Sequence, residues 1–309
     1  MQFVGIQKQI RRNNFNSVLL LITFPLILLA MVYIFLWFAA SQESEYASLN
    51  QSFLATVPVV LVATALWFIV AWLFHTSIIK KATGSRSLER KENKRVYNLV
   101  ENLCISKGMK IPKIHVIEDS SLNAFASGIS DNNYAISLSR GIIDKLTDEE
   151  LEAVIAHELT HIRNRDVRLL IVSVIFVGIF AFLSEIAFRS LRFSGRSRDG
   201  KSNALIILVA IVITSVAYMI SILLRFGISR SREYLADSGA AELTRNPHAL
   251  ASALRKISAD PYIEAVQNRD IAQMFIDNPK LSNHKFSWDN LFSTHPPIEK
   301  RIQLLEQFV

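Results

Sequence analysis

One cysteine, Cys104, in a chain of 309 residues rules out an internal disulfide, so nothing here requires an oxidising compartment. Glycine and proline are sparse too, at 10 and 8, and neither gathers into a low-complexity tract. No segment repeats another. The net charge of +7 brings no recognised nucleic-acid motif and no aromatic-basic platform, which argues against a nucleic-acid partner. Charge is also missing locally. The runs Val18 to Ala40 and Phe53 to Phe74 hold no charged side chain, and the loop between them, "SQESEYASLNQS", holds no basic one.

What is present is apolar surface, half of all residues, concentrated in four runs. The other two run from Leu169 to Phe188 and from Ala204 to Leu224. Each is about 20 residues, enough to cross a hydrocarbon core as a helix. The first exceeds the roughly 7–15 apolar residues of a signal peptide, so an uncleaved anchor is expected. Lys8, Arg11 and Arg12 precede the first hairpin, and "KKATGSRSLERKENKR" follows it. The positive-inside rule puts both flanks in the cytoplasm, where the basic residues also attract anionic lipid. The tip of the second hairpin, "RSLRFSGRSRDGK", is basic as well, and Glu185 lies within the third run. If the second pair spans, its tip breaks the rule. A pair of partly shielded or buried helices is the other reading.

Between the hairpins, Leu88, Val96, Leu99, Val100 and Leu103 recur at helical spacing, predicting a helix from about Ser87 to Lys107 closed by Gly108. "KIHVIED" and "NYAISLS" read as short strands around the turn-rich "SSLNAFASGISDNN". "TDEELEAVIAHELTHIRNRD" opens with a capping box, Thr147 and Glu150. After the second hairpin a helical stretch breaks near Asn246-Pro247. An amphipathic segment from Tyr262 to Ile276, an irregular loop and a last helix after Pro296-Pro297 complete the chain.

The chemistry-bearing motif is "HELTH". His157 and His161, four apart on a helix, project from one face and can grip one metal ion. Glu158 falls beside them, placed to take a proton from water at that ion. Neutral imidazoles suit Zn²⁺, and a catalytic zinc takes a third protein ligand. "REYLAD" offers Glu233, with Asp237 one helical turn on, placed to hold a ligand imidazole. Alone, two histidines at this spacing can be a surface pair, and two acids near arginines an ordinary solvated face. Together they favour the metal site.

"LNAFASG", "AHELTHIRNRD", "SREYLAD" and "STHPPIEKRI" resemble, in order and context, the M48 metallopeptidases, with spans before and after the metal-binding helix as in membrane-bound members. The resemblance implies an α+β, mainly helical integral membrane protein. Its four hydrophobic helices would carry a cytoplasmic gluzincin-type peptidase domain with a small sheet. Residues 1–80 would form the first hairpin, 81–168 and 225–309 the peptidase domain, and 169–224 the second hairpin. It further implies one Zn²⁺ per chain on His157, His161 and Glu233, with Glu158 as general base. His295 would help hold the oxyanion, and Asn123, Ala124 and Phe125 would lie along the substrate cleft. Asp166 either supports a ligand or is a plain helix-end carboxylate. The 12 residues from His157 to Leu169 make about 18 Å of straight helix, which would set the metal just beneath the membrane surface.

The expected function is zinc-dependent endopeptidase action on unfolded or damaged membrane proteins at the cytoplasmic face of a bacterial plasma membrane. An extended substrate would add to a sheet edge. A prenyl-protein protease is disfavoured by the few spans, and a scaffold with a structural metal by the presence of Glu158.

Overall fold

The computed structural model describes residues 6–39, 43–194, 209–212, 214–216, 218–219, 230–259 and 296–307. These fall into two compact units: Phe15–Leu73 with Val172–Arg225, and Met1–Asn14 with Phe74–Ile171 and Phe226–Val309. The described residues before Phe15 thus cluster with the unit that carries the H-E-x-x-H motif rather than with the hairpin they lead into.

The apolar unit is helical. Helices α1 (Ile6–Ala39) and α2 (Glu43–Thr83) are long and apolar enough to cross a membrane over Ile10–Trp37 and Leu49–Thr83. Leu26, Leu54, Val62 and Leu73 lie more than half exposed, an arrangement that suits lipid rather than water. The third apolar run forms most of a continuous helix, Asp166–Ser194, labelled α6 below in chain order. Within this unit Phe24, Leu28 and Met31 of α1 pack with Val172, Ile179 and Phe180 of that helix. The fourth run is helical at its described positions within 209–219. The basic tip begins at Arg189 within α6, and its remainder from 195 to 201 lies outside the described residues, as does the expected amphipathic segment at 262–276.

The other unit is α+β. Its strands are β1 (Arg86–Ser87), β2 (Lys113–Ile117), β3 (Ala124–Ser127) and β4 (Ala135–Ser139), in spatial order β1-β2-β4-β3. Only β2 and β4 run parallel. Its helices are α3 (Lys94–Lys107), α4 (Arg140–Lys145), α5 (Asp148–Arg163), the start of α6, α7 (Arg230–Thr244), α8 (Pro247–Ala259) and α9 (Ile298–Glu306).

Three local readings change. Helix α3 begins at Lys94 rather than near Ser87: Asn93 Oδ1 caps it by accepting from Val96 N–H at 3.0 Å. Leu88 matched the helical spacing but is extended, its N–H donating to Ile114 O at 3.0 Å as a continuation of sheet pairing. Gly108 does close α3, at φ 61°. Second, the turn-rich segment contains strand β3, which Gly128 ends. At φ 111° a Cβ there would come within 2.6 Å of Asn133 O, so only glycine fits. Third, the metal-motif helix does not run straight into the third apolar run. Helix α5 ends at Arg163, Arg165 takes a left-handed φ of 60°, and α6 starts afresh at Asp166. The 18 Å straight-helix distance therefore does not hold.

Helix α5 is anchored at its start by Glu150. Its carboxylate closes the capping box on Thr147 N–H at 2.9 Å and accepts from Ser252 Oγ and Lys256 Nζ of α8, both at 2.7 Å. Burial alone would raise its pKa; Lys256, the Thr147 amide and Ser252 more than reverse that and hold it below the ordinary value. A depressed folded pKa means stability that is present above the unfolded value and lost as pH falls through the folded one. Glu150→Ala is accordingly expected to cost about 2 kcal/mol at neutral pH, from the lost cap and charge-assisted bonds. The gap in melting temperature from the unaltered protein, measured in detergent, should narrow as pH drops below 4.5.

Candidate metal centre

Two helices build the centre by crossing closely. Helix α5 carries His157, Glu158 and His161, and α7 carries Glu233 and Asp237. A glycine makes the crossing possible. A Cβ on Gly239 would collide with the Thr160 side chain, whose hydroxyl is committed to Ala156 O at 2.8 Å.

One ligand-capable atom from each of His157, His161 and Glu233 lies within 4.8 Å of the others. The two Nε2 atoms are 3.2 Å apart. His157 Nε2 lies 3.7 Å from Glu233 Oε2, and His161 Nε2 lies 3.5 Å from Glu233 Oε1. A tetrahedral ion bonded to nitrogen and oxygen at about 2.0–2.1 Å holds its ligand atoms roughly 3.3–3.5 Å apart. The residues fit such an ion.

Each imidazole is turned by a carboxylate behind it. His157 Nδ1 lies 3.1 Å from Asp237 Oδ1, and His161 Nδ1 lies 3.0 Å from Asp166 Oδ2. A proton on the Nδ1 atom that faces each carboxylate would leave the Nε2 lone pair for the shared point. Asp166, open to two readings in the sequence, thus faces a candidate ligand.

Sequence reasoning missed Arg301 of α9, which is buried. Its Nε donates to Asp237 Oδ2 at 2.9 Å and its Nη2 to Asp237 Oδ1 at 2.7 Å. Its Nη1 lies 3.4 Å from Glu233 Oε2. The available signal was its place in the "STHPPIEKRI" motif; its helical spacing alone resembles a solvated face.

These charges set the protonation of the centre. Burial would lower the His157 pKa, but Asp237 and Glu233 reverse this and raise it to about 9, so a metal must displace a proton there. Asp237 is pulled below its ordinary value by Arg301 and His157, against the effect of burial. Glu158 is buried and its pKa is raised. Burial is the main cause and Glu233 adds to it, while the two histidines and the Ala126 amide oppose it. A dry carboxyl of raised pKa beside a metal site is suited to proton transfer.

The Ala126 amide belongs to β3, one of the sheet's two edge strands among the described residues. Ser139 N–H donates to Asn123 O at 3.0 Å, so alternation turns Phe125 and Ser127 toward β4, and Ala124 and Ala126 outward. The side chains of Asn123, Ala124 and Phe125 are all buried. Any substrate contact from this segment therefore comes through main-chain atoms. His295 lies outside the described residues.

A profile of Peptidase family M48 matches residues 90–309. The chain belongs to peptidase family M48. This M48 metallopeptidase is 56% identical to a protein of Bacteroides fragilis called protease HtpX homolog, over the whole of both chains. The protease HtpX homolog of Lactobacillus helveticus is 34% identical, covering 98% of this chain and 99% of that one. In Dictyoglomus turgidum a protein of the same name is 38% identical over 89% of this chain and 88% of its own. The crystal structure of S. mikatae Ste24p matches with a TM-score of 0.48 and 20% identity, over 89% of this chain and 61% of that one. That likeness is too loose to assign a role to any residue.

Overpacking the helix crossing tests this geometry. Gly239→Ala is expected to destabilise the protein by about 1–3 kcal/mol and to weaken metal binding, with Thr160→Ala in the same chain restoring part of both. Melting temperature and bound metal per chain are the readouts.

Proposed function

We propose that this M48 metallopeptidase is a membrane-embedded, zinc-dependent endopeptidase. Its substrates would be unfolded or damaged membrane proteins, cut at the cytoplasmic face of a bacterial plasma membrane. The observation that carries the reading is the buried Glu158 next to the converging His157, His161 and Glu233. Two imidazoles and one carboxylate are a donor set suited to Zn²⁺. Bound zinc would supply a lowered pKa to a water molecule and polarise the scissile carbonyl.

The chain's own residues supply the rest. Glu158 takes the proton of the attacking water and delivers it to the leaving amine nitrogen, and its raised pKa suits both halves of that transfer. The outward edge of β3 offers the main-chain carbonyls of Ala124 and Ala126, while the Ala124 N–H is taken by Asn123 Oδ1 at 2.9 Å and the Ala126 N–H by Glu158, so a substrate segment docks as an added strand by donating to those carbonyls. Pairing of that kind needs an extended chain and reads little side-chain identity, which favours unfolded segments. The basic residues flanking the first apolar hairpin support a cytoplasmic peptidase domain, and the two long apolar helices support residence in the membrane. His295, by the family resemblance, would help hold the developing oxyanion.

The deciding comparison is cleavage of unfolded casein by the purified, zinc-loaded protein and by its Glu158→Gln variant, with zinc assayed in both. About one zinc per chain is expected in each, with cleavage by the variant reduced about 10²–10⁴-fold. Zinc in both and cleavage by neither, with a membrane-protein substrate tried as well, would mean a structural metal and overturn the reading.

A further inference from the structure

His161 is the more open of the two candidate histidine ligands, with 14% of its side chain exposed against 2% for His157. His157 is fixed by burial and by an aspartate that Arg301 grips. The orientation of His161 therefore leans more heavily on Asp166. That carboxylate is itself held from the far end of the chain. Asn13, buried in α1 ahead of the first apolar run, donates from Nδ2 to Asp166 Oδ1 at 2.6 Å and to Asn164 O at 2.8 Å. A main-chain carbonyl and a carboxylate both accept, so the amide must turn its two hydrogens toward them. Asp166 keeps Oδ2 for His161 Nδ1.

The contact also bridges the break between α5 and α6. Asn164 precedes, and Asp166 follows, the left-handed Arg165. A non-glycine residue in that region is strained and persists only where its surroundings hold it. Here Arg232 Nη1 also donates to Asp166 O at 3.3 Å, and Arg165 Nη1 to Asn14 Oδ1 at 3.4 Å.

We infer that Asn13 is a positioning residue of the metal centre. By anchoring one oxygen of Asp166 it presents the other to His161, which leaves the His161 Nε2 lone pair aimed at the ion. The helix that enters the first apolar run thereby contributes to metal binding. The inference rests on His157, His161 and Glu233 being a metal site.

The test uses the full chain in detergent. Zinc affinity is measured by competition with a chelator, and the visible absorption spectrum is recorded with Co²⁺ in place of Zn²⁺. Asn13→Leu keeps the volume and removes the donor, while Asn13→Asp keeps the shape and sets a carboxylate against Asp166. Zinc affinity is expected to fall about tenfold or more in the leucine variant and further in the aspartate variant, as for other groups that orient a metal ligand. The cobalt spectrum is expected to change in both. In an Asp166→Asn background, Asn13→Leu should add less than about a twofold further loss, because its effect passes through Asp166. Affinity within about twofold of the unaltered protein overturns the inference, as does a loss that adds in full to that of Asp166→Asn. Asn13→Ser, which retains one hydroxyl donor, should fall between the unaltered protein and the leucine variant; no advantage over leucine counts against the inference. An unaltered protein that binds no zinc would instead sink the metal-site reading, and this inference with it.

Discussion

A guanidinium and a carboxylate, both shut away from water, set the terms for this molecule. Arg301 and Asp237 meet through two hydrogen bonds, and neither could remain charged in that interior alone. Removing one member of such a pair typically costs roughly 3–5 kcal/mol, because the other is left buried and unmatched. Arg301 also stands 3.4 Å from Glu233, so a single cation from α9 offsets both carboxylates that α7 brings to the centre. Asp237, kept ionised, holds His157. The metal-binding geometry is therefore the outer layer of a charge arrangement that extends one helix further back.

The same dryness serves the chemistry. Burial raises the Glu158 pKa toward the range where a carboxyl can both accept and return a proton, and nearby histidines limit the rise. The carboxyl sits against the open edge of β3, through the Ala126 amide. The Ala126 main chain faces away from β4, so the proposed strand pairing and proton transfer would lie side by side.

What could be read from the sequence was what is local. His157 and His161 lie one helical turn apart, as do Glu233 and Asp237, so spacing alone placed each pair on one face, with Glu158 beside the histidines. The capping box and the left-handed Gly108 are equally short-range. Arg301 reaches Asp237 across 64 residues and Asn13 reaches Asp166 across 153, and no periodicity encodes such partners. Strand β3 was hidden because its four residues lie among turn formers and its identity comes from pairing with β4. Leu88 misled for a related reason: its spacing suited a helix, but a sheet hydrogen bond decided its conformation. The break at Arg165 had no sequence signal, since neither glycine nor proline marks it.

The placement of Arg301 has a consequence for biosynthesis. Among the described residues of the centre it is the last to be translated, after both histidines and both α7 carboxylates. Until it emerges, Asp237 and Glu233 have no guanidinium beside them, and water remains the better place for both. A half-made chain can carry His157, His161 and Glu233 and still lack the guanidinium that offsets the two carboxylates in a dry interior.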